Sequence, residues 1–187
     1  MYGKSYTINT SKLYRVNKTF NEEYILKTGD LLFVRSSLKL EGVGWTSMFV
    51  EQDEPITFCG FIIRSRIIDK EMYSPFLTYY FRTEQARNSL ISGSGKVAIT
   101  NINQGVLNEI RVAKPSLSEQ KEIIRQILLV ESKIDNHERR KQTLTALFKT
   151  LLYELMTGKR RVHEIDFQGM TKEYSLSEIP LRMAAEL

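Results

Sequence analysis

Residues 118–156 contain no glycine or proline, and their apolar positions recur at alternating spacings of four and three: Ile123, Ile127, Val130, Ile134, then Leu144, Phe148, Leu151 and Leu155. His137 and Lys141 hold the two central places of the same series. This is a heptad seam, and it predicts one long coiled-coil helix. At about 1.5 Å per residue, Ile123 to Leu155 covers roughly 48 Å, or about 14 base pairs of B-DNA at about 3.4 Å each. A lone helix with such a stripe is marginal in water and its apolar surface sticks to others, so the seam asks for a partner helix. Ile124, Leu128, Leu129, Leu147 and Leu152 beside it widen the stripe enough for more than one.

Before this helix the pattern is that of a compact domain. Residues 2–68 alternate aromatic and β-branched residues with polar or glycine turns. Gly29-Asp30 predicts a turn into a strand, Leu31 to Arg35, and Gly42-Val43-Gly44 a second break. Residues 45–50 and 56–68 read as further strands, the latter apolar enough for the centre of a sheet, with Gly60 marking a bulge or a close backbone approach. Ser74-Pro75 predicts a helix start with serine as N-cap, followed by Phe76, Leu77, Tyr80, Phe81, Leu90 and Ile91 at helical spacing. A glycine-rich stop at residues 92–96, one helical turn around Val106 and Leu107 and a strand at residues 110–113 complete the domain. Ser116 and Glu119 then form a capping box that opens the long helix, and Gly158 with Lys159, Arg160 and Arg161 ends it.

The fold class expected is therefore α/β (α+β), with a domain over residues 1–116, a spacer and dimerisation helix over 117–158, and a basic cluster and tail over 159–187. The net charge of +5 suits a polyanionic partner without by itself requiring one. A single cysteine, Cys59, excludes an internal disulfide framework and points to a reducing cytoplasm. No run reaches the length of a membrane span, and the first twelve residues lack an apolar signal region.

Catalytic and metal chemistry finds no constellation. His137 and His163 are far apart and neither has metal or triad spacing around it. Gly93-Ser94-Gly95-Lys96 lacks the frame of a phosphate loop, since Leu90 stands where its first glycine belongs and Val97 follows the lysine. Nucleotide hydrolysis there is only a third alternative, and no cofactor is expected. A lysine-tipped glycine loop still suits a DNA phosphate. Arg35, Ser36, Ser37 and Lys39 follow a strand and Arg64 and Arg66 alternate in another, which suits either a solvated edge or contacts to base edges and phosphates.

Four stretches carry a resemblance: GDLLFVRSS at 29–37, PFLTYYFRT at 75–83, SGSGKVAITNINQGVLNEIRVAKPSLSEQKEI at 92–123 and LFKTLLYELMTGKRRV at 147–162. Their order resembles the DNA specificity subunit of Type I restriction-modification systems. The resemblance implies a non-catalytic subunit in which a target recognition domain reads one half of a split DNA site and a long helix acts as a ruler. It also implies modification (methyltransferase) subunits as partners and, through them, restriction subunits. Such a subunit usually carries two domains and two antiparallel helices. With one of each and a short N-terminus, this chain looks like a half subunit.

The DNA contacts expected are Arg35, Ser36, Ser37, Lys39, Lys96 and Asn103, with serines and asparagine for base edges and lysines for phosphates. The partner expected for the helix is a second copy run antiparallel about a centre between His137 and Lys141. Ile123 then faces Leu155, Ile127 faces Leu151, Val130 faces Phe148 and Ile134 faces Leu144. A parallel pair would set Lys141 against Lys141. The alternative is a coiled-coil interaction module or recombination cassette that binds modification subunits without specific DNA binding.

Overall fold

A computed structural model describes residues 5–11, 13–17, 21–37, 42–92 and 100–164. The elements in chain order are β1 (Leu31–Val34), β2 (Ser36–Ser37), β3 (Thr46–Met48), β4 (Ile62–Ser65), α1 (Ser74–Tyr80), α2 (Glu84–Ser92), β5 (Thr100–Asn101), α3 (Gln104–Glu109) and α4 (Leu117–Met156). The architecture is an α+β domain followed by a long helix. By its internal contacts the chain divides into two units, residues 1–130 and 131–187, so the first turns of α4 belong with the domain.

Among the described residues the main sheet has three antiparallel strands in the order β3-β1-β4, with Phe33 level with Thr46 on one side and Ile63 on the other. β1 is buried along its whole length because both its faces are covered. Its side chains alternate, so Leu31 and Phe33 enter the main core with Phe76, Leu77, Phe81, Leu90, Ile102 and Ile124, while Leu32 joins Leu26 and Phe49 on the opposite face. Phe33 and Phe81 meet edge to face at 5.0 Å. Gly44, at φ +69°, takes a left-handed turn where a Cβ would come within 3.1 Å of Leu90, so glycine is required on both counts. A two-residue ladder pairs β2 with β5, Ser36 opposite Asn101 and Ser37 opposite Thr100.

Several expectations are corrected. The run at 56–68 forms a strand only from Ile62, and as β4 it lies at an edge of the sheet while β1 is central. Gly60 is neither in a bulge nor closely approached, since a Cβ there would meet nothing within 4 Å. The helix beginning at Ser74 has Tyr73, without a side-chain cap bond, as its N-cap. It ends at Tyr80, and a second helix starts at Glu84 because the Thr83 hydroxyl accepts from the Ala86 N–H at 3.3 Å. Residues 110–113 form no strand: Ile110 caps α3, and the Arg111 carbonyl accepts from the Tyr80 hydroxyl at 3.0 Å.

The base of α4 is locked into the domain. Ser116 accepts from the Glu119 N–H at 3.3 Å, which is half of the expected capping box. One turn on, Gln120 is fully buried, accepting from the Tyr73 N–H at 2.8 Å and donating to the carbonyls of Glu71 and Pro115 at 2.9 Å each. Ile124 is buried beside it, and Ile123, Ile127 and Leu128 pack partly buried against the same core. The end of the helix is as expected: Gly158 turns left-handed at φ +69° and its N–H donates to the Leu155 carbonyl at 3.2 Å.

Candidate nucleic-acid interface

At the end of β1 the chain opens a cleft of about 710 Å³, lined in part by Tyr24, Arg35, Phe58, Gly60, Arg64 and Asn103. Arg35 sits between β1 and β2, its backbone held on both sides. Its N–H donates to the Phe61 carbonyl at 2.8 Å, and its carbonyl accepts from the Ile102 N–H at 3.0 Å. The backbone is thus fixed while the guanidinium stands exposed. In the same cleft the Arg64 guanidinium donates to the Glu23 carbonyl and lies 5.5 Å from the Phe58 ring centroid. Phe58 in turn sits 6.5 Å from Tyr24, whose carbonyl accepts from the Thr57 hydroxyl at 3.0 Å. Asn103 caps α3, its Oδ1 accepting from the Val106 N–H at 3.0 Å. Its amide nitrogen is left for donation into the cleft.

The charge of this cleft is one-sided. Arg35 and Arg64 are its cations, and none of its described lining residues is acidic. A second cleft of about 730 Å³, lined by Arg15, Asp53 and Glu54 among others, is mixed in sign, and Arg15 is already paired with Glu54 at 2.6 Å. Arg66, two residues from Arg64 and just past the end of β4, is likewise spent. It grips the buried Asp30 carboxylate through two bonds of 2.8 and 2.7 Å, and this bonding raises the guanidinium pKa further above its ordinary value. Arg82 donates to the Thr46 carbonyl at 2.8 Å and covers the Trp45 ring at 4.8 Å. Arg66 and Arg82 thus serve the fold, Arg35 lines the cleft, and Arg64 does both.

Of the contacts expected from the sequence, the fold brings Arg35 and Asn103 into one cleft. Ser36 and Ser37 lie next to it on the β2-β5 ladder, where the Ser36 hydroxyl donates to the Asn101 side-chain carbonyl. Lys39 and Lys96 lie outside the described residues. Tyr24 and Phe58 carried no signal in the sequence, because their neighbourhood with Arg64 is made by tertiary contacts between a turn, a loop and β4. Arg64 was visible only as one of an alternating pair, and its difference from Arg66 depends on the buried Asp30.

In the second unit the helix presents Ile134, Leu144, Leu147, Phe148 and Leu152, all exposed. His137 and Lys141 are exposed among them and line a shallow groove with Arg140, Leu144 and Phe148. The basic cluster folds back on the helix end. Lys159 donates to the Tyr153 hydroxyl at 3.0 Å and lies 4.6 Å from its ring centroid, and Arg160 pairs with Glu154 at 3.2 Å. Among the described residues no group of three or more His, Cys, Asp or Glu is placed to hold a metal ion. No helix among them is long and apolar enough to cross a membrane.

Comparison with known proteins bears on this arrangement. The family model described as Type I restriction modification DNA specificity domain matches residues 1–146. The chain is 25% identical over 150 residues to the Type I restriction enzyme MjaVIII specificity subunit of Methanocaldococcus jannaschii, a match covering 78% of this chain and 34% of that protein. It is 26% identical over 124 residues to the Type I restriction enzyme StySPI specificity subunit of Salmonella potsdam, covering 64% of this chain and 26% of the relative. The chain therefore spans between about a quarter and a third of the length of these relatives.

Proposed function

The chain belongs to the family of Type I restriction modification DNA specificity domains, and from that membership we propose that it is the non-catalytic, sequence-specific DNA-recognition part of a Type I restriction-modification complex. It reads one half of a bipartite target through the cleft at the end of β1. The observation that carries this reading is the pairing of Arg35 and Arg64 with Asn103 in a cleft free of described acidic residues. An arginine can donate in bidentate fashion to guanine, and an asparagine amide to a base edge beside it. Ser36, Ser37, Lys39 and Lys96 complete the interface, the lysines on phosphates.

The helix supplies the spacing. Ile123 and Ile127 are already partly covered by the domain core, so a second copy run antiparallel would find its best apolar layers at Val130 with Phe148 and Ile134 with Leu144, about the His137 and Lys141 centre. Leu151 and Leu155 extend the face toward the helix end. A two-fold pair would read a two-fold site, and the same exposed face is where modification subunits, and through them restriction subunits, would join.

Selection of duplexes from a randomised library with the full chain tests the reading. The expected result is a specific site whose binding falls steeply with added salt. Arg35→Ala should relax discrimination at one base by about tenfold or more. A selection that returns no preferred site, or one unchanged by Arg35→Ala, overturns it. The alternative is a coiled-coil interaction module that binds modification subunits without reading DNA. What favours it is the row of exposed apolar residues on the outer helix, which needs a protein partner whatever the domain does. Weak, salt-insensitive binding to every duplex, together with capture of a modification subunit, would support this second reading.

A further inference from the structure

Phe61 stands apart from the other aromatic residues of the domain. It lies in a turn closed by the bond from the Ile62 N–H to the Cys59 carbonyl at 3.0 Å, and its own carbonyl accepts from the Arg35 N–H at 2.8 Å. Its backbone is therefore held from two sides, yet its side chain is 69% exposed. The residues on either side of it, Gly60 and Ile62, line the cleft with Arg35. Gly60 next to it faces open space, since a Cβ there would meet nothing within 4 Å apart from its chain neighbours. A scattered exposed apolar residue needs no explanation. A phenylalanine bonded through its backbone to an exposed arginine, and set between two residues that line a one-sided cationic cleft, is a different case.

We infer that Phe61 is a specificity-determining residue that reads the C5-methyl group of a thymine next to the base read by Arg35. The inference rests on the cleft being a DNA-reading site. In the major groove, where an arginine finds its guanine, the thymine methyl is the apolar group that base edges offer. The backbone bond between the two residues sets the exposed Phe61 beside the strand end that carries Arg35, within reach of an adjacent base pair in the same groove. It gains by covering that methyl and loses nothing in packing, because little of it is buried within the chain.

The test uses the full chain and the duplex it selects from a randomised library, with each thymine of that duplex replaced in turn by deoxyuridine, which lacks only the methyl. One replacement should weaken wild-type binding about fourfold, the factor expected for burial of one methyl-sized group. Phe61→Ala should weaken binding to the thymine duplex and be indifferent to that same replacement. Phe61→Leu should retain part of the sensitivity. The inference is overturned if no thymine shows this coupling, or if Phe61→Ala weakens all duplexes alike. It is also overturned if 2-aminopurine beside the site brightens on binding while deoxyuridine has no effect, since Phe61 would then be wedged between bases. Relaxed specificity in Arg35→Ala with no coupling at Phe61 removes Phe61 alone. Absence of any selected site removes the reading of the cleft with it.

Discussion

The two ends of α4 carry the same repeat of apolar residues and meet opposite fates. Near its start, Ile124 is buried at 1% exposure, and Ile123, Ile127 and Leu128 pack against the core of the domain. In the outer part, Ile134, Leu144 and Phe148 are 48%, 52% and 59% exposed. An apolar period records that a face will be covered and is silent about what covers it. The polar residues separate the two stretches. Gln120 is enclosed and bonded to three backbone groups, whereas His137 and Lys141 interrupt a face that is still open. The first stretch thus fixes the helix to its own domain, and the second leaves its apolar face exposed.

Gln120 is where that contrast can be broken most severely. Gln120→Leu would leave the Tyr73 N–H and the Glu71 and Pro115 carbonyls without their partner in a closed site, at a cost on the order of 3 kcal/mol or more in urea unfolding. The same change at the exposed Gln142 of the outer stretch should stay within about 0.5 kcal/mol. Equal effects at both sites would mean that the base of the helix is not locked into the domain.

A pair of truncations sharpens the comparison at the next level. Ile124→Ala empties a filled site and should cost about 2 to 4 kcal/mol in the unfolding of dilute protein. Leu144→Ala should leave that transition almost unmoved and instead shift the chain toward the monomer in sedimentation at micromolar concentration. Loss of stability from Leu144→Ala in the dilute chain would show that the outer face is covered within one molecule, and the proposed pairing would fail.

What could be read from the sequence follows the same division. The length of the long helix, its serine start, its glycine stop and the β1 strand all depend on local chemistry, and the structure agrees with them. The strand expected at 110–113 and the single helix expected from Ser74 to Ile91 depend on neighbours that periodicity does not see. Ile110 is needed to cap α3, and Thr83 starts a new helix. In the cleft, Arg35 and Asn103 were visible because each stands in a polar break beside an apolar run. Tyr24, Phe58 and Arg64 were not assembled from the sequence, because their contacts join a turn, a loop and a strand that lie far apart in the chain. Gln120 looked like any solvated helical glutamine, since its three partners are backbone groups of Glu71, Tyr73 and Pro115.

The smallest effect should come from the polar side of the first stretch. Glu122 accepts from Arg125 through two bonds of 2.8 and 2.7 Å and from the Gln126 amide at 2.7 Å. These bonds, that from Arg125 foremost, hold its carboxyl down from 4.5 to about 2. Because the folded carboxyl titrates below the unfolded one, the pair stabilises the helix fully above the ordinary carboxyl range and loses its contribution as pH falls through about 2. Both groups lie in solvent, where such a pair counts for little and is screened by salt. Wild type and Glu122→Gln should therefore differ slightly in denaturation midpoint at neutral pH and low salt, and the difference should close as pH drops toward 2 and as salt is added. A difference that persisted in acid would show that Glu122 acts through packing, and the solvated side of the lower helix would then be as closely bound to the domain as the side that carries Gln120.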